Sequence, residues 1–547
     1  MPVHPLGDAA AILVLGETVD PPLAARIHAL ATAVSARPPA GVVEVVPAFA
    51  SVAVILDPAR APPWAELVGQ LERLVVDIAV LPPSPPARCV EVPVCYGGEH
   101  GPDLIEVADR AGLAPEDVVR RHAAAEYRVY AIGFTPGFPY LGGLPAALAT
   151  PRRRTPRARV PAGSVGIGGA QTGVYPLASP GGWNLIGCTP HGLFDAHRPE
   201  PSLLRVGDQV LFRPIDGREF AALAARAIRE RREPRKAAGP PAIEVRQAGM
   251  FTTVQDGGRR GRRSLGVPLS GAADPFALRL ANMLVGNPDD AAGLEFTLRG
   301  PALRFERAML VAAGGADFPN VPRWRPFVVP AGATLDLGTA RAGCRGYLAV
   351  AGGISVAPVL GSASTYTRAA LGGIEGRALR DGDTLSVPAV ERGVRERWFL
   401  DERLLPPYAP DAVVRTVDGL HAGEFDPAWR ETTFRVSPQS DRMGIRLAGA
   451  PLCRTATIER ASIPVVPGTI QAPPDGQPIV LLADAQTIGG YPQVAHVASV
   501  DLPLLAQLRP GDRVRFVRIE LEEARTLVLA RDRALGLLRE GLAQKLA

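Results

Sequence analysis

The sequence predicts a mainly β protein: a small α+β domain at the N-terminus, then three related β modules. Three observations carry that reading. Glycine and proline are abundant, 58 and 56 of 547 residues, which favours turn-rich strands over long helices. Two phrases recur in fixed order. Val-Pro-Ala-Gly stands at Val160–Gly163 and Val329–Gly332, with Val-Pro-Gly at Val466–Gly468; "LRVGDQVLF", "LRDGDTLSV" and "LRPGDRVRF" follow from Leu204, Leu379 and Leu508. The interval between the two glycines is 44 residues (Gly163 to Gly207), 50 (Gly332 to Gly382) and 43 (Gly468 to Gly511), a spacing too long for a solenoid repeat and suited to whole modules. Finally, "GAQTGVYP" at Gly169–Pro176 is echoed by "DAQTIGGYP" at Asp484–Pro492.

Residues 1–85 combine strand-like "AAILVLG" and "SVAVILD" with helical spacing in "PPLAARIHALATAVSA" and "WAELVGQLERLVVD". "LPPSPPAR", Leu81–Arg88, reads as a linker. The first β module spans 89–214 and carries one helical insert, whose second helix opens on Pro115, Glu116 and Asp117. A short helix decaying into "RREPRKAAGPP" (215–241) reads as a joint between two proteins. The second and third modules take 242–389 and 410–517. Residues 518–547 form an amphipathic helix expected to pack on a barrel.

Composition excludes several classes. Basic and acidic residues nearly cancel, 60 against 55, and the arginines are scattered, so nothing argues for nucleic acid. The lysines are Lys236 and Lys545, which leaves no Gly-Lys-Ser/Thr phosphate loop, no core Schiff-base lysine, no Ser-Ser-Lys amidase set and no context for a biotin attachment site. Cys89, Cys95, Cys188, Cys344 and Cys453 show no Cys-x-x-Cys pair and read as reduced thiols of a cytoplasmic protein. No signal peptide is legible, and no apolar run approaches the roughly 18 residues of a membrane span.

Several stretches could carry chemistry. "YAIGFTPGFPYLGGLP" (Tyr130–Pro145) is a stiff loop presenting Phe134, Pro136, Phe138 and Tyr140. His122 ends the helical insert just before it. "RRRTPRARVPAG" offers Arg152, Arg153, Arg154, Arg157 and Arg159 beside glycine-rich turns, an arrangement able to hold an anion. Gln171 and Tyr175 lie in the first Ala-Gln-Thr phrase, near "SPGGWNLIG"; a glutamine amide donates and accepts at once, as polarising an amide or urea requires. The third module offers Asp441, Arg442, Gln471, Asp475, Asp484, Gln486 and Tyr491. His191, Asp195 and His197 fit no compact metal site, and "AGSVG" (Ala162–Gly166) lacks the leading glycine and strand-to-helix context of a nucleophile elbow.

"GFTPGFPYLGGLP" with "VPAGSVGIGGAQTGVYPLASPGGWNLIG" resembles the bacterial KipI-type protein, the B subunit of ATP-dependent 5-oxoprolinase. "GMFTTVQDGGRRGRRSLGVPLSGAADPFALRLANMLVGN" (Gly249–Asn287), "SDRMGIRL" and "GTIQAPPDGQPIVLLADAQTIGGYPQV" resemble its companion KipA, the C subunit. Both resemble the carboxyltransferase region of urea carboxylase. The resemblance covers essentially the whole chain. It implies three cyclophilin-like β-barrel modules after the α+β domain, one B-like and two C-like, with the fusion joint near Lys236.

It also implies hydrolysis of 5-oxoproline to glutamate with ATP and Mg²⁺, in concert with a separate A subunit; it admits a homo-oligomer. Under that reading Gln171 and Gln486 hold the lactam across one cleft, with Phe134, Pro136, Phe138, Tyr140, Tyr175, Gln471 and Tyr491 around it. Arg154, Arg157 and Arg442 receive phosphates, and His122 or Asp256 handles protons. The alternatives are a detached carboxyltransferase component of a biotin-dependent urea or amide carboxylase, and a regulatory protein binding a histidine kinase. Two departures from the family pattern stand out: Ala363, where the family has Arg, and Ile445, where an aromatic is common.

Overall fold

A computed structural model of the chain describes residues 3–16, 20–78, 88–229, 239–390, 399–455 and 461–546. Leu81–Ala87 of the proline-rich stretch, and the joint around Lys236, lie outside them.

Strands β1 (Val3–Pro5), β2 (Ala10–Val14), β3 (Val42–Pro47) and β4 (Ser51–Leu56) form an antiparallel sheet in the order β1-β2-β4-β3. Helices α1 (Pro21–Ala36) and α2 (Trp64–Ile78) cover it. α1 starts where the sequence permits: Asp20 accepts the Leu23 N–H at 2.8 Å, and Pro21 fits a first turn that needs no N–H. Its stripe of Leu23, Ile27, Leu30 and Val34 repeats every three or four residues and packs on Val52 and Val54.

The next unit is a closed seven-stranded barrel. Its strands are β5 (Cys89–Tyr96), β6 (Tyr127–Ile132), β7 (Pro139–Gly142), β9 (Ser164–Gly168), β10 (Gln171–Val174), β12 (Asn184–Cys188) and β13 (Gln209–Ile215). β8 (Arg157–Val160) and β11 (Ser179–Gly181) pair beside it. The insert supplies α3 (Leu104–Ala111), stopped by left-handed Gly112, and α4 (Pro115–Ala124), opened by Pro115 with Glu116 and Asp117 in its first turn. α5 (Gly217–Arg229) follows β13.

The middle unit holds β14 (Pro241–Gln247), β15 (Thr252–Gln255), β16 (Gly293–Thr297), β17 (Ala302–Phe305), β18 (Met309–Asp317), β19 (Pro326–Val329), β20 (Thr334–Asp336), β21 (Ala342–Val350) and β22 (Thr384–Ser386), with α6 (Pro275–Leu284). These strands lie in two sheets, β20-β17-β14-β22 and β15-β16-β21-β18-β19, around Val254, Leu294, Leu303, Val311 and Leu348.

The last unit is again a closed barrel, of β23 (Asp411–Asp418), β24 (Phe434–Val436), β25 (Gly444–Ala448), β27 (Thr469–Gln471), β28 (Ile479–Leu481), β30 (Gln493–Val497) and β31 (Arg513–Arg518). A side pair, β26 (Ile463–Pro464) and β29 (Ile488–Gly489), accompanies it. Around the ring the first barrel runs β5-β12-β9-β10-β7-β6-β13 and the third unit β23-β30-β27-β28-β25-β24-β31, the same order strand for strand. In both, the first and last strands pair in parallel.

The repeated phrases are repeated turns. Gly207, Gly382 and Gly511 have φ of +92°, +86° and +92°. The aspartate after each accepts the N–H of the arginine three residues before it, at 2.8, 2.7 and 2.7 Å. The strand that follows differs in the middle unit. There β22 is three residues long and runs antiparallel to β14, so it does not close a ring as β13 and β31 do.

The two Ala-Gln-Thr phrases are not equivalent. Gln171 opens β10, whose counterpart β28 ends at Leu481; Gln486 lies beyond it, before β29. The counterpart of Gly489-Gly490-Tyr491 is Gly181-Gly182-Trp183, at the end of β11. The shared words fall on different strands.

After the short helix α7 (Leu502–Ala506), the units are bound into one body by α8 (Leu521–Leu546). Ala524 packs with Val417 and Ala498 of the third unit, Leu535 and Leu542 with α6 of the middle one, and Arg525 donates to the Pro62 carbonyl at 2.6 Å. The N-terminal sheet also reaches the third unit, where Asp8 accepts the Ser499 N–H at 2.7 Å.

Candidate functional site

The loop between β6 and β7 turns abruptly. Phe134 has φ +66° and the Thr135 N–H reaches the Gly133 carbonyl at 2.7 Å, a γ-turn of the strained, positive-φ kind. The strain is held from both sides. Gly137 N–H donates to the Leu265 carbonyl of the middle unit, and Gly133 lies against Ile488 of the third, where a Cβ would come within 2.7 Å of it. Phe134 is left 39% exposed at the rim, while Pro136 and Phe138 are buried.

Beneath the loop lies an aromatic cluster. Phe138 meets Tyr140, Tyr175 and Trp183 at centroid distances of 4.9, 5.2 and 5.8 Å, and Ile488 completes the wall. Trp183 lies flat on the β9–β10 hairpin because the hairpin has no side chains there: a Cβ on Gly168 or Gly173 would fall 2.6 or 3.0 Å from the indole. Gln171 is opposite Gly168 and two residues from Gly173, so strand alternation puts its side chain on the indole face, at the ring's edge. The Arg152 guanidinium sits 5.9 Å above the Trp183 ring. Burial pushes the Tyr175 hydroxyl up to about 12 and Tyr140 higher still, so both are neutral donors at physiological pH.

Gln486, half-buried, donates to Gln471 at 3.5 Å, two residues from Ile488. Gln471 is 1% exposed and its own amide nitrogen has no partner among the described residues. The hydroxyls of Thr135, Ser179 and Thr487 are likewise buried and unpartnered. These atoms belong to the segments on either side of the Gly133–Ile488 contact. Tyr491 is 44% exposed.

Other expected residues are placed elsewhere or already engaged. His122 is fully buried inside the first barrel, between the Tyr96 hydroxyl (2.8 Å) and Thr172 Oγ1 (3.0 Å) and stacked on Phe212; burial lowers it to about 3. Thr172 donates onward to the Gly166 carbonyl, so His122 carries its proton on Nε2 and accepts from Tyr96. It is a neutral core group whose two ring nitrogens are both engaged. Asp256 is the anchor of the Gly361–Thr365 turn, accepting from Ser362 Oγ (2.7 Å), Ala363 N–H (2.6 Å), Gly258 N–H (2.8 Å) and Ser364 Oγ. Arg442 is buried between units: it grips Asp484 twice (2.8 and 3.1 Å), pairs with Glu295 and donates to the Gly271 carbonyl. Burial alone would lower its pKa, but Asp484 and Glu295 hold it above the ordinary arginine value.

Buried Asp103 accepts from Arg157 Nη2 at 2.7 Å, Arg153 at 3.1 Å and the Leu185 N–H at 2.7 Å, and Arg157 Nη1 is buried without a partner among the described residues. Arg154 is exposed. Ala363 sits half-buried in the Asp256 turn, and Ile445 is core on β25. Among the described residues no group of three His, Cys, Asp or Glu is arranged to hold a metal ion, and no helix is long and apolar enough to cross a membrane.

The structure thus gathers Phe134, Pro136, Phe138, Tyr140, Gln171 and Tyr175 on the first barrel; Ile488 joins the third unit to it beside the Gln471–Gln486 pair, and Tyr491 is exposed. It adds Trp183, which sequence reasoning did not single out, and selects Arg152 from the arginine run. The cluster combines apolar rings with carboxamides and neutral phenols, the donor set that recognition of a small cyclic amide calls for.

Residues 1–204 match the carboxyltransferase domain, subdomain C and D, and residues 265–518 match the carboxyltransferase domain, subdomain A and B. The chain is 42% identical over 229 residues to the 5-oxoprolinase B subunit of Bacillus subtilis (strain 168), covering 40% of this chain and 95% of that protein. It is 42% identical over 293 residues to the 5-oxoprolinase C subunit of Escherichia coli (strain K12), covering 52% and 93%. It is also 32% identical over 324 residues to the urea amidolyase of Saccharomyces cerevisiae, covering 54% of this chain but 18% of that protein. The crystal structure of TTHA0988 superposes with a TM-score of 0.81 at 39% identity, over 93% of this chain and 99% of that one.

Proposed function

Because the chain belongs to the carboxyltransferase-domain family that includes 5-oxoprolinase subunits B and C, we propose that it is a fused B–C component of an ATP-dependent 5-oxoprolinase, opening 5-oxoproline to glutamate together with a separate A subunit. One observation carries this: a single polypeptide matches nearly the full length of a B subunit and nearly the full length of a C subunit. The joint between them is the segment 215–241.

In this reading the lactam ring lies against Trp183, Phe138 and Tyr140, where water is excluded. Gln171 donates to the lactam oxygen, and the neutral Tyr175 hydroxyl supports the charge that grows there as the carbonyl is attacked. Gln486 and Gln471 read the adjoining N–H from the third unit. ATP, when bound, would supply activation of the lactam oxygen. Of the arginines the sequence suggested for its phosphates, Arg442 does not fit that task, since every guanidinium nitrogen is engaged, and Arg157 is tied to Asp103; exposed Arg154 is left for it.

The test is reconstitution: this chain, an A subunit, 5-oxoproline and ATP–Mg²⁺, with glutamate and phosphate measured together. Both are expected only from the complete mixture. Robust glutamate release by the chain alone would remove the A subunit from the scheme. The urea amidolyase match favours a second reading, a detached carboxyltransferase component. Transfer of carboxyl from a biotinylated carrier to urea, with no glutamate formed, would establish it instead.

A further inference from the structure

β5 and β12 run antiparallel with Cys95 directly opposite Cys188. Both are free thiols. Residues so paired have Cα atoms about 4.5–5.5 Å apart and side chains on one face of the sheet. Disulfides span Cα separations of about 4.4–6.8 Å, so the pair already has disulfide spacing. Cys95 is buried and Cys188 half-buried, which makes Cys188 the thiol met first from solvent. Its sulfur has room because residue 163 is glycine: a Cβ there would come within 3.0 Å of Sγ.

We propose that Cys95 and Cys188 form a thiol–disulfide exchange site that reacts with low-molecular-weight disulfides such as oxidised glutathione and closes into an intramolecular cross-strand disulfide. The Cys188 thiolate attacks the glutathione disulfide, forming a mixed disulfide and releasing one glutathione thiolate. The Cys95 thiolate then attacks Cys188 Sγ and releases the second. The two protons lost from the protein thiols end on the two glutathione thiols; the protein pair is oxidised by two electrons and one glutathione disulfide is reduced.

Burial raises both thiols, Cys188 to about 11, and the carboxylates of Asp216 and Glu99 add to the effect on Cys95. Exchange is therefore slow at neutral pH and faster in mild alkali. The segment between the two cysteines carries the Gly133–Tyr140 loop, Gln171, Tyr175 and Trp183. Oxidation would staple the base of the whole first-barrel half of the cleft.

The experiment uses the full chain with the exposed thiols removed, Cys89→Ser and Cys453→Ser, treated with oxidised glutathione at mildly alkaline pH. Non-reducing peptide mapping should show one species joining the Cys95 and Cys188 peptides with two hydrogens lost. The melting midpoint should shift upward, and dithiothreitol should reverse both changes. Adding Cys188→Ser should abolish the product. A glutathione adduct that stays on Cys188, a bridge through Cys344, or unchanged thiol content would each overturn the assignment.

Discussion

The first and third units share a ring of strands but not what the ring presents. Three residues beyond the Val-Pro-(Ala-)Gly glycine, Gly163 and Gly468, both at positive φ, the first barrel has Gly166 and the third has Gln471. In the first, bare backbone at Gly166, Gly168 and Gly173 lets Trp183 lie down against the hairpin. In the third, a side chain occupies the corresponding place, so Tyr491, the counterpart of Trp183, stands out in solvent and a buried amide takes its room. Three glycine positions together make the first wall an aromatic plane where the third has a carboxamide. The units are also held differently: the first is pinned by the Gly133–Ile488 contact and the Gly137 N–H on the Leu265 carbonyl, the third by the buried Glu295–Arg442–Asp484 chain.

The largest expected effect tests that second contrast. Arg442→Met leaves two buried carboxylates without their cation and should cost about 3–5 kcal/mol, read by chemical denaturation. A loss below about 1 kcal/mol would mean the junction is wet and the charges are not what joins the units.

Next come the amides. Gln171→Ala or Gln486→Ala should lower kcat/KM of the reconstituted enzyme by roughly ten- to a thousand-fold, with melting little changed, since losing one stabilising donor costs that much and a partly exposed polar truncation costs little fold stability. If both act on one substrate group, the double variant loses less than the two effects combined. Unstable variants that turn over normally would make both glutamines turn residues only.

Smaller is the effect of filling the indole's seat. Gly168→Ala should cost about 1–3 kcal/mol by overpacking and shift the Trp183 fluorescence as the ring lifts. The matched change in the third barrel, Gln471→Gly, should not bring Tyr491 down, because Gly168 and Gly173 have no glycine partners there; a Tyr491 quenched in that variant would argue against the comparison.

The smallest effect is common to both barrels. His122 and His496 are each buried and lowered to about 3 by desolvation. With folded values below the unfolded 6.5, their neutral forms favour the fold above pH 6.5. That stability declines as pH falls toward 3, by at most roughly 1.4 kcal/mol per pH unit for each. His122→Gln should flatten the decline and leave the pH–rate profile near neutrality unchanged; loss of a limb there would return His122 to catalysis.

Local features were legible and long-range partnerships were not. Pro115 before two acids and three Gly-Asp pairs each determine backbone geometry within a few residues, and each appears as the sequence suggests. Arg442 and Asp256 looked available because their partners are distant in sequence: Glu295 is 147 residues from Arg442, and Ser362 is 106 from Asp256. The Ala-Gln-Thr echo misled because a repeated phrase need not occupy a repeated strand. Trp183 did leave a signal, in "VGIGGAQTG": glycines at alternate positions of a strand mark backbone approached by something bulky.

The helix α8 has a consequence for how this protein comes into being. It is synthesised after everything it touches, including Pro62 near the other end of the chain. An N-terminal sheet that folds as it is made has its Asp8 face unpartnered while the ribosome completes more than four hundred further residues. Only then can the contacts at Ser499 and Arg525 close. Chaperone demand should concentrate in that interval, and a nascent chain halted before residue 499 should expose the Asp8 surface that the finished protein conceals.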